Sequence, residues 1–146
     1  MKPHHLLAIL TFIIPVISFS QTAEEFYNEG KKLKDEKKSA EAIKKYQAAL
    51  DLNPGYTDAR YEMGWCYNDT KDYFAAIRTL RLAMPAMKEV YKANFEMGYA
   101  FEKTDSYDSA LYYYNRCLAI TTTNAGVYKQ MGFIAYQKEE YPKALE

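Results

Sequence analysis

The sequence predicts an all-α protein made of antiparallel helix pairs stacked as a solenoid of about three and a half repeats. Three observations support this fold class. Glycines and alanines each recur every 34 residues. They are Gly30, Gly64, Gly98 and Gly132, then Ala42, Ala76, Ala110 and Ala144. The apolar residues between them follow helical spacing, and only 6 glycines and 5 prolines occur in 146 residues, which disfavours a turn-rich β protein.

The first twenty residues predict a cleaved signal peptide. Lys2 precedes an uncharged run from Leu6 to Phe19, and small serines flank Phe19 just before Gln21. A basic start, a short apolar middle and a small-residue exit are typical of secretory signals. An uncleaved membrane anchor is the alternative, but the run contains Pro15 and falls short of the ~20 residues that a spanning helix needs. A buried helix is the remaining possibility.

Charge and histidine content exclude several classes of function. The chain has 19 basic and 19 acidic residues, so its formal net charge is zero. A protein that coats nucleic acid needs a basic excess. The only histidines are His4 and His5, inside the predicted signal peptide, so the remaining chain lacks Ser–His and Cys–His catalysis and the commonest metal ligand. We therefore predict no catalytic residue, no cofactor and no metal site.

Four repeat units follow the predicted signal peptide, over residues 23–56, 57–90, 91–124 and 125–146. In the first unit, Phe26, Gly30 and Leu33 share one helical face, and the polar link 35–38 follows. A second face then runs from Ala42 to Leu50, and residues 53–55 (Asn-Pro-Gly) end it. Because such links are short, the two helices of each unit must be antiparallel.

The glycine column predicts close approach between the two helices of each unit. Glycine inside a helix costs about 1 kcal/mol relative to alanine, so its recurrence at one phase indicates a packing need. A column of large residues should fill the space opposite the glycines. It consists of Tyr46, Leu80 and Tyr114.

This pattern resembles the tetratricopeptide repeat family, over essentially the whole chain after residue 22. With Ala23 as the first position, the first unit supplies the motif residues Phe26, Gly30, Leu33, Ala42, Tyr46, Ala49 and Pro54. The later units repeat Met-Gly at residues 63–64, 97–98 and 131–132. The resemblance implies a right-handed superhelix whose first helices line a concave groove that binds protein segments.

Some positions depart from the family pattern. Arg60 and Asn94 stand where the family has a bulky residue. Pro85 predicts a helix that ends near Met84 and a next helix that starts early. Pro142 is expected in the first turn of the second helix of the fourth unit. The sequence stops at Glu146, a few residues into that truncated helix, which favours a fragment over an end covered by another chain.

The two cysteines, Cys66 and Cys117, fall where the family usually has alanine. We expect both to be buried small residues. A disulfide, which an exported protein would permit, is the alternative.

The resemblance also implies a set of groove residues on the first helices. Carried over position by position, they are Tyr27, Lys31, Tyr61, Trp65, Asn68, Lys92, Phe95, Tyr99, Lys129, Phe133 and Tyr136. Aromatic side chains provide large contact areas, and the lysines would attract acidic groups of a partner. The alternative is that the aromatics only pack. The family subclass that clamps a carboxylate has Lys and Asn where Tyr27 and Lys31 stand, so its partner is disfavoured.

Together these features predict a non-enzymatic protein–protein interaction scaffold, exported to the periplasm or cell envelope of a diderm bacterium, or else secreted. Its partner would be a protein or peptide rather than nucleic acid, with no membrane span in the mature chain. The alternative is an N-terminal sensor or assembly module of a longer, envelope-anchored signalling protein. An enzyme would need reactive groups that this stretch lacks.

Overall fold

The computed structural model describes residues 21–143, which form seven α-helices and no strand. The helices are α1 (Ala23–Asp35), α2 (Ser39–Leu52), α3 (Thr57–Asp69), α4 (Tyr73–Ala83), α5 (Tyr91–Lys103), α6 (Tyr107–Ile120) and α7 (Ala125–Lys143). The helices that open the units begin at residues 23, 57, 91 and 125, so the 34-residue period is structural. The predicted fold class is confirmed, whereas the predicted signal peptide lies outside the described residues.

Neighbouring helices pack in chain order. Within the units, α1 contacts α2, α3 contacts α4 and α5 contacts α6, and between units α2 contacts α3 and α4 contacts α5. The core is divided among three apolar clusters along the solenoid. Each unit therefore buries its apolar face mainly against itself and its neighbours, as repeat proteins do.

The repeated glycines lie at the contact between the two helices of a unit, as predicted. A Cβ atom on Gly30 or Gly98 would stand 2.6 Å from the ring of Tyr46 or Tyr114, and one on Gly64 would stand 2.7 Å from Leu80. All three large side chains are fully buried. Gly132 differs, because none of the described atoms of residues 21–143 is placed within 4 Å of the equivalent position there.

Each link within the first three units contains one residue with a left-handed backbone. These residues are Lys37, Lys71 and Asp105, with φ of 60°, 65° and 55°. In the first link, the Lys38 N–H donates to the Leu33 carbonyl at 2.9 Å, and the corresponding bond recurs in the other two links. This arrangement satisfies carbonyls that the end of the helix would leave unpaired. The links therefore have one geometry without any glycine.

The segment around Pro85 only partly follows the prediction. Helix α4 ends at Ala83, close to the predicted Met84, and Met84–Ala86 form one turn of 3-10 helix. The expected early start of the next helix is wrong, since α5 begins at Tyr91. The backbone of Met87 is extended (ψ 134°), which interrupts any helix that Pro85 could open.

The fourth unit also differs from the prediction. Helix α7 continues without a link to Lys143, so the prediction that Pro142 opens a second helix is wrong. The residue equivalent to Asp105 is Glu139, and it is helical. A left-handed residue there would cost about 1–2 kcal/mol.

Both cysteines are buried free thiols in different core clusters, so the prediction of buried small residues is confirmed and the disulfide alternative is wrong. Burial raises the pKa of the Cys66 thiol to about 12 and that of Cys117 to about 11. Thiols in this state are poor nucleophiles.

Candidate functional site

A continuous groove runs along the first helices of the first three units, α1, α3 and α5. Three cavities open along it and share their walls, because Tyr61 and Lys92 line two of them and Trp65, Phe95 and Glu96 also line two. Seven predicted residues line these cavities. They are Tyr27, Tyr61, Trp65, Asn68, Lys92, Phe95 and Tyr99. The family's groove positions therefore converge here on one surface.

The other four predicted residues do not line these cavities. Lys31 is exposed on α1, with its ammonium 5.8 Å from the centre of the Tyr27 ring. Lys129, Phe133 and Tyr136 are exposed on α7. The ring of Phe133 lies 5.7 Å from the Lys103 ammonium, which connects α7 to α5 at the margin of the groove.

Asn68 is a structural link between α3 and α5 as well as a groove residue. Its side chain is 5% exposed. The Nδ2 group donates to the backbone carbonyl of Glu96 at 3.0 Å and to its Oε2 at 2.7 Å. Within residues 21–143, no group donates to the buried Oδ1. One acceptor on the groove wall is therefore unsatisfied.

Sequence reasoning missed two carboxylates of the groove, Glu62 and Glu96. The Glu62 carboxylate forms an ion pair with Lys34, with Oε2 2.6 Å from Nζ. The same ammonium lies 5.1 Å from the centre of the Trp65 ring. The two glutamates occupy equivalent positions, 34 residues apart. That spacing would have revealed them as a column, but the family's groove positions do not include it.

Burial sets the protonation of the groove side chains. It raises the pKa of Tyr27 to about 12, with the Glu62 and Asp58 carboxylates adding to the effect. Burial also raises the pKa of Tyr61. It raises the pKa of Glu96 too, although the Asn68 hydrogen bond opposes this. The tyrosines therefore present neutral hydroxyl groups at physiological pH.

The segment after Pro85 forms a further wall that sequence reasoning did not predict. Residues 86–89 line one end of the groove, opposite Tyr27, Asp58 and Tyr61. Lys88 and Glu89 are exposed there, beside Lys92. This wall exists because the chain from Met87 to Val90 is not helical, which the sequence pattern alone did not indicate.

The described residues lack two other kinds of site. Between residues 21 and 143, no group of histidine, cysteine and acidic side chains is arranged to hold a metal ion. In the same range, no helix combines the length and apolar character needed to cross a bilayer.

Comparisons with known proteins agree with this architecture. The tetratricopeptide repeat family model matches residues 33–93. No curated protein sequence matches the chain significantly. Among solved structures, the first repeat domain of Spaghetti (RPAP3), bound to an HSP90 peptide, superposes with a TM-score of 0.75 at 22% identity, covering 82% of this chain and 95% of that one.

Two further structures are similar. The second repeat domain of human RPAP3, in complex with an HSP70 peptide, has a TM-score of 0.71 at 17% identity and covers 77% of this chain and 94% of its own. MamA from Desulfovibrio magneticus RS-1 has a TM-score of 0.77 at 19% identity, with coverages of 84% and 70%. At such identities the likeness shows the fold. Together with the family match over residues 33–93 and the repeated helix pairs, it shows that the chain has the tetratricopeptide repeat fold.

Proposed function

We propose that the protein is a non-enzymatic scaffold that binds a segment of another protein in the groove along α1, α3 and α5. The observation that supports this most directly is the row of partly exposed aromatic side chains from three successive units. They are Tyr27, Tyr61, Trp65, Phe95 and Tyr99. Desolvating such rings provides large contact area at low cost in side-chain entropy.

The peptide complexes of the similar structures support peptide binding as the function but not the choice of partner. Those domains bind HSP90 and HSP70 peptides. In this chain, Tyr27 and Lys31 replace the Lys and Asn of the family's carboxylate clamp. A different peptide chemistry is therefore part of the proposal.

A random-peptide library displayed on phage would test the groove. Peptides selected on the wild-type protein should shift the emission of Trp65, the only tryptophan. The double variant Trp65→Ala/Tyr99→Ala should weaken their binding by at least tenfold, since each truncated interface aromatic typically costs more than 1 kcal/mol.

A matched control is the double variant Phe74→Ala/Tyr112→Ala. It also removes two exposed aromatic side chains (68% and 55% exposed), but from the second helices α4 and α6. Binding should be unchanged. Peptides that tolerate the Trp65/Tyr99 variant and lose affinity for the Phe74/Tyr112 variant would show that the binding surface lies elsewhere.

Export is a second part of the proposal, supported by the basic start, apolar run and small-residue exit of residues 1–20. Mass spectrometry of the protein recovered from its native cells should find Gln21 as the amino terminus, in the periplasmic or secreted fraction. An intact Met1 terminus on a protein of the cytoplasmic fraction would contradict export and leave the groove proposal untouched.

A further inference from the structure

Two equivalent contacts join the first three units, and they differ in charge. Lys34 of the first unit pairs with Glu62 of the second at 2.6 Å. One unit later, Asn68 takes the place of the lysine and hydrogen-bonds Glu96 at 2.7 Å. Within residues 21–143, no lysine or arginine nitrogen lies within 4.0 Å of the Glu96 carboxylate. The second contact therefore keeps a glutamate, Glu96, but has the neutral Asn68 where the first contact has the cation Lys34.

The uncompensated carboxylate is largely removed from water. Burial raises the pKa of Glu96, and the carboxylate of Glu62 adds to the rise, while the Asn68 hydrogen bond and the Lys34 ammonium oppose it. A buried charge without a counter-ion is costly, and a partner cation would offset that cost. The first contact shows how the fold satisfies this position when it supplies a cation itself.

Glu96 opens onto a cavity of about 280 Å³ with aromatic walls. The rings are those of Trp65, Tyr73, Phe95 and Tyr99. Aromatic faces attract cations, and two of these rings already have a lysine of this chain nearby, Lys34 at 5.1 Å from Trp65 and Lys103 at 5.1 Å from Tyr99. The cavity thus combines negative ring faces with a partly buried carboxylate.

A second, independent observation is the buried Oδ1 of Asn68. Because Nδ2 of Asn68 makes both bonds to Glu96, the oxygen is fixed as the free acceptor, and no group in residues 21–143 donates to it. Asp69, which accepts from the Ser39 hydroxyl at 2.6 Å, adds a further carboxylate to the cavity wall, and Lys71 adds an ammonium. Within the described residues, the Asn68 Oδ1 lacks a donor, which an ammonium or guanidinium group would provide.

We propose that this cavity, the Glu96 cavity, binds a lysine or arginine side chain of the protein segment held in the groove. The ion pair would form with Glu96, the Asn68 Oδ1 would accept a second hydrogen bond, and the aromatic rings would surround the aliphatic stem. The proposal rests on the proposed function of the groove. It reverses the expectation from sequence that the groove selects acidic partner groups.

Capped tripeptides would test the cavity directly. Three acetylated and amidated peptides, with lysine, glutamine or glutamate between two alanines, would be titrated at low ionic strength. Trp65 emission and amide chemical shifts would be followed. The lysine peptide should give saturable shifts around Glu96 and Trp65, and the other two should not. Equal responses to all three peptides, or a preference for glutamate, would overturn the proposal.

Two variants sharpen the test. Glu96→Gln keeps the shape and removes the charge, so lysine-peptide affinity should fall about tenfold. Asn68→Lys copies the first contact and supplies the cation internally, so it should also suppress binding. The matched control is Glu41→Gln, which removes the same charge from an exposed position on α2, outside the groove, and should leave affinity unchanged. Far-ultraviolet circular dichroism would check the fold of each variant.

The outcomes separate this proposal from the groove proposal. If Glu41→Gln weakens binding as much as Glu96→Gln does, the effect comes from the overall charge of the protein and the cavity proposal fails. Phage-selected peptides that need Trp65 and Tyr99 but contain no basic residue would refute the cavity and keep the groove. Selected peptides indifferent to Trp65 and Tyr99 would refute the groove, and the tripeptide titration would still decide the cavity.

Discussion

The third and fourth units have the same repeat residues but differ in structure. In the third unit Gly98 lies against the Tyr114 ring, and the link turns at the left-handed Asp105. In the fourth unit Gly132 is exposed, and Glu139 remains inside the continuous helix α7. The glycine and the left-handed turn are therefore needed only where a second helix packs against the first helix of the same unit. Where no second helix packs among the described residues, the same motif forms one long helix.

The largest expected effect on this comparison comes from Gly98→Ala. The new Cβ would stand 2.6 Å from Cε1 of Tyr114, whose ring is fully buried and packs against Phe95 at 5.8 Å. Overpacking costs up to ~3 kcal/mol, and the better helix propensity of alanine returns about 1 kcal/mol. We expect a net loss of about 2 kcal/mol in the free energy of unfolding, measured by urea denaturation.

Gly132→Ala is the matched control, because the same substitution meets no neighbour in the described part of the chain. The helix propensity should then act alone and stabilise α7 by up to ~1 kcal/mol. Equal destabilisation by both variants would show that a packed second helix faces Gly132 in solution and would remove the distinction between the two units.

A smaller effect on stability is expected from Glu96→Gln. The fourth unit already has a glutamine, Gln130, at the equivalent position. The pKa of Glu96 is raised in the folded protein. Its contribution to stability is therefore fully present below the ordinary carboxyl pKa and is lost as pH rises through the raised value. Glu96→Gln should match the wild type in acid and have the higher melting temperature at neutral pH.

Thermal melts at a series of pH values would measure this difference. The charged groups that act on Glu96 are Glu62 and Lys34, and Asn68 donates its hydrogen bond. Two parallel curves with a constant offset would indicate a packing effect and would contradict the role given to the charge.

The smallest effect concerns the link. Asp105→Gly should change stability by less than about 0.5 kcal/mol, because glycine accepts the left-handed backbone but loses more entropy on folding. The exposed hydrogen bond from the Tyr107 hydroxyl to Asp105 is also lost. Glu139→Gly should instead reduce the helicity of α7, at a cost of about 1 kcal/mol. Hydrogen exchange of α7 would detect this, and equal tolerance at both positions would contradict the continuous helix.

The periodic residues predicted most of the architecture because they describe one packing contact. Gly30, Gly64 and Gly98 required large partners, and Tyr46, Leu80 and Tyr114 occupy those places. The links escaped prediction because their left-handed residues are Lys37, Lys71 and Asp105, whereas sequence reasoning expects glycine at such positions.

The candidate site was predicted in outline only. The aromatic residues follow from the family's groove positions, since those positions lie on one helical face. The carboxylates of Glu62 and Glu96 depend on which residue of the preceding unit faces them, Lys34 or Asn68. That pairing joins residues 28 positions apart in sequence, and no local pattern indicates it.

The hydrogen-bonded links have a consequence for proteolysis. Lys37 and Lys71 are exposed and would be obvious trypsin sites. The amide after each lysine, however, donates to a carbonyl five residues earlier, from Lys38 to Leu33 and from Asp72 to Tyr67. A protease binds several residues around the cut bond in an extended conformation. Extending this link would separate the two helices of the unit. Cleavage at these lysines therefore measures how often a single unit opens, and a segment seated across several units should slow it.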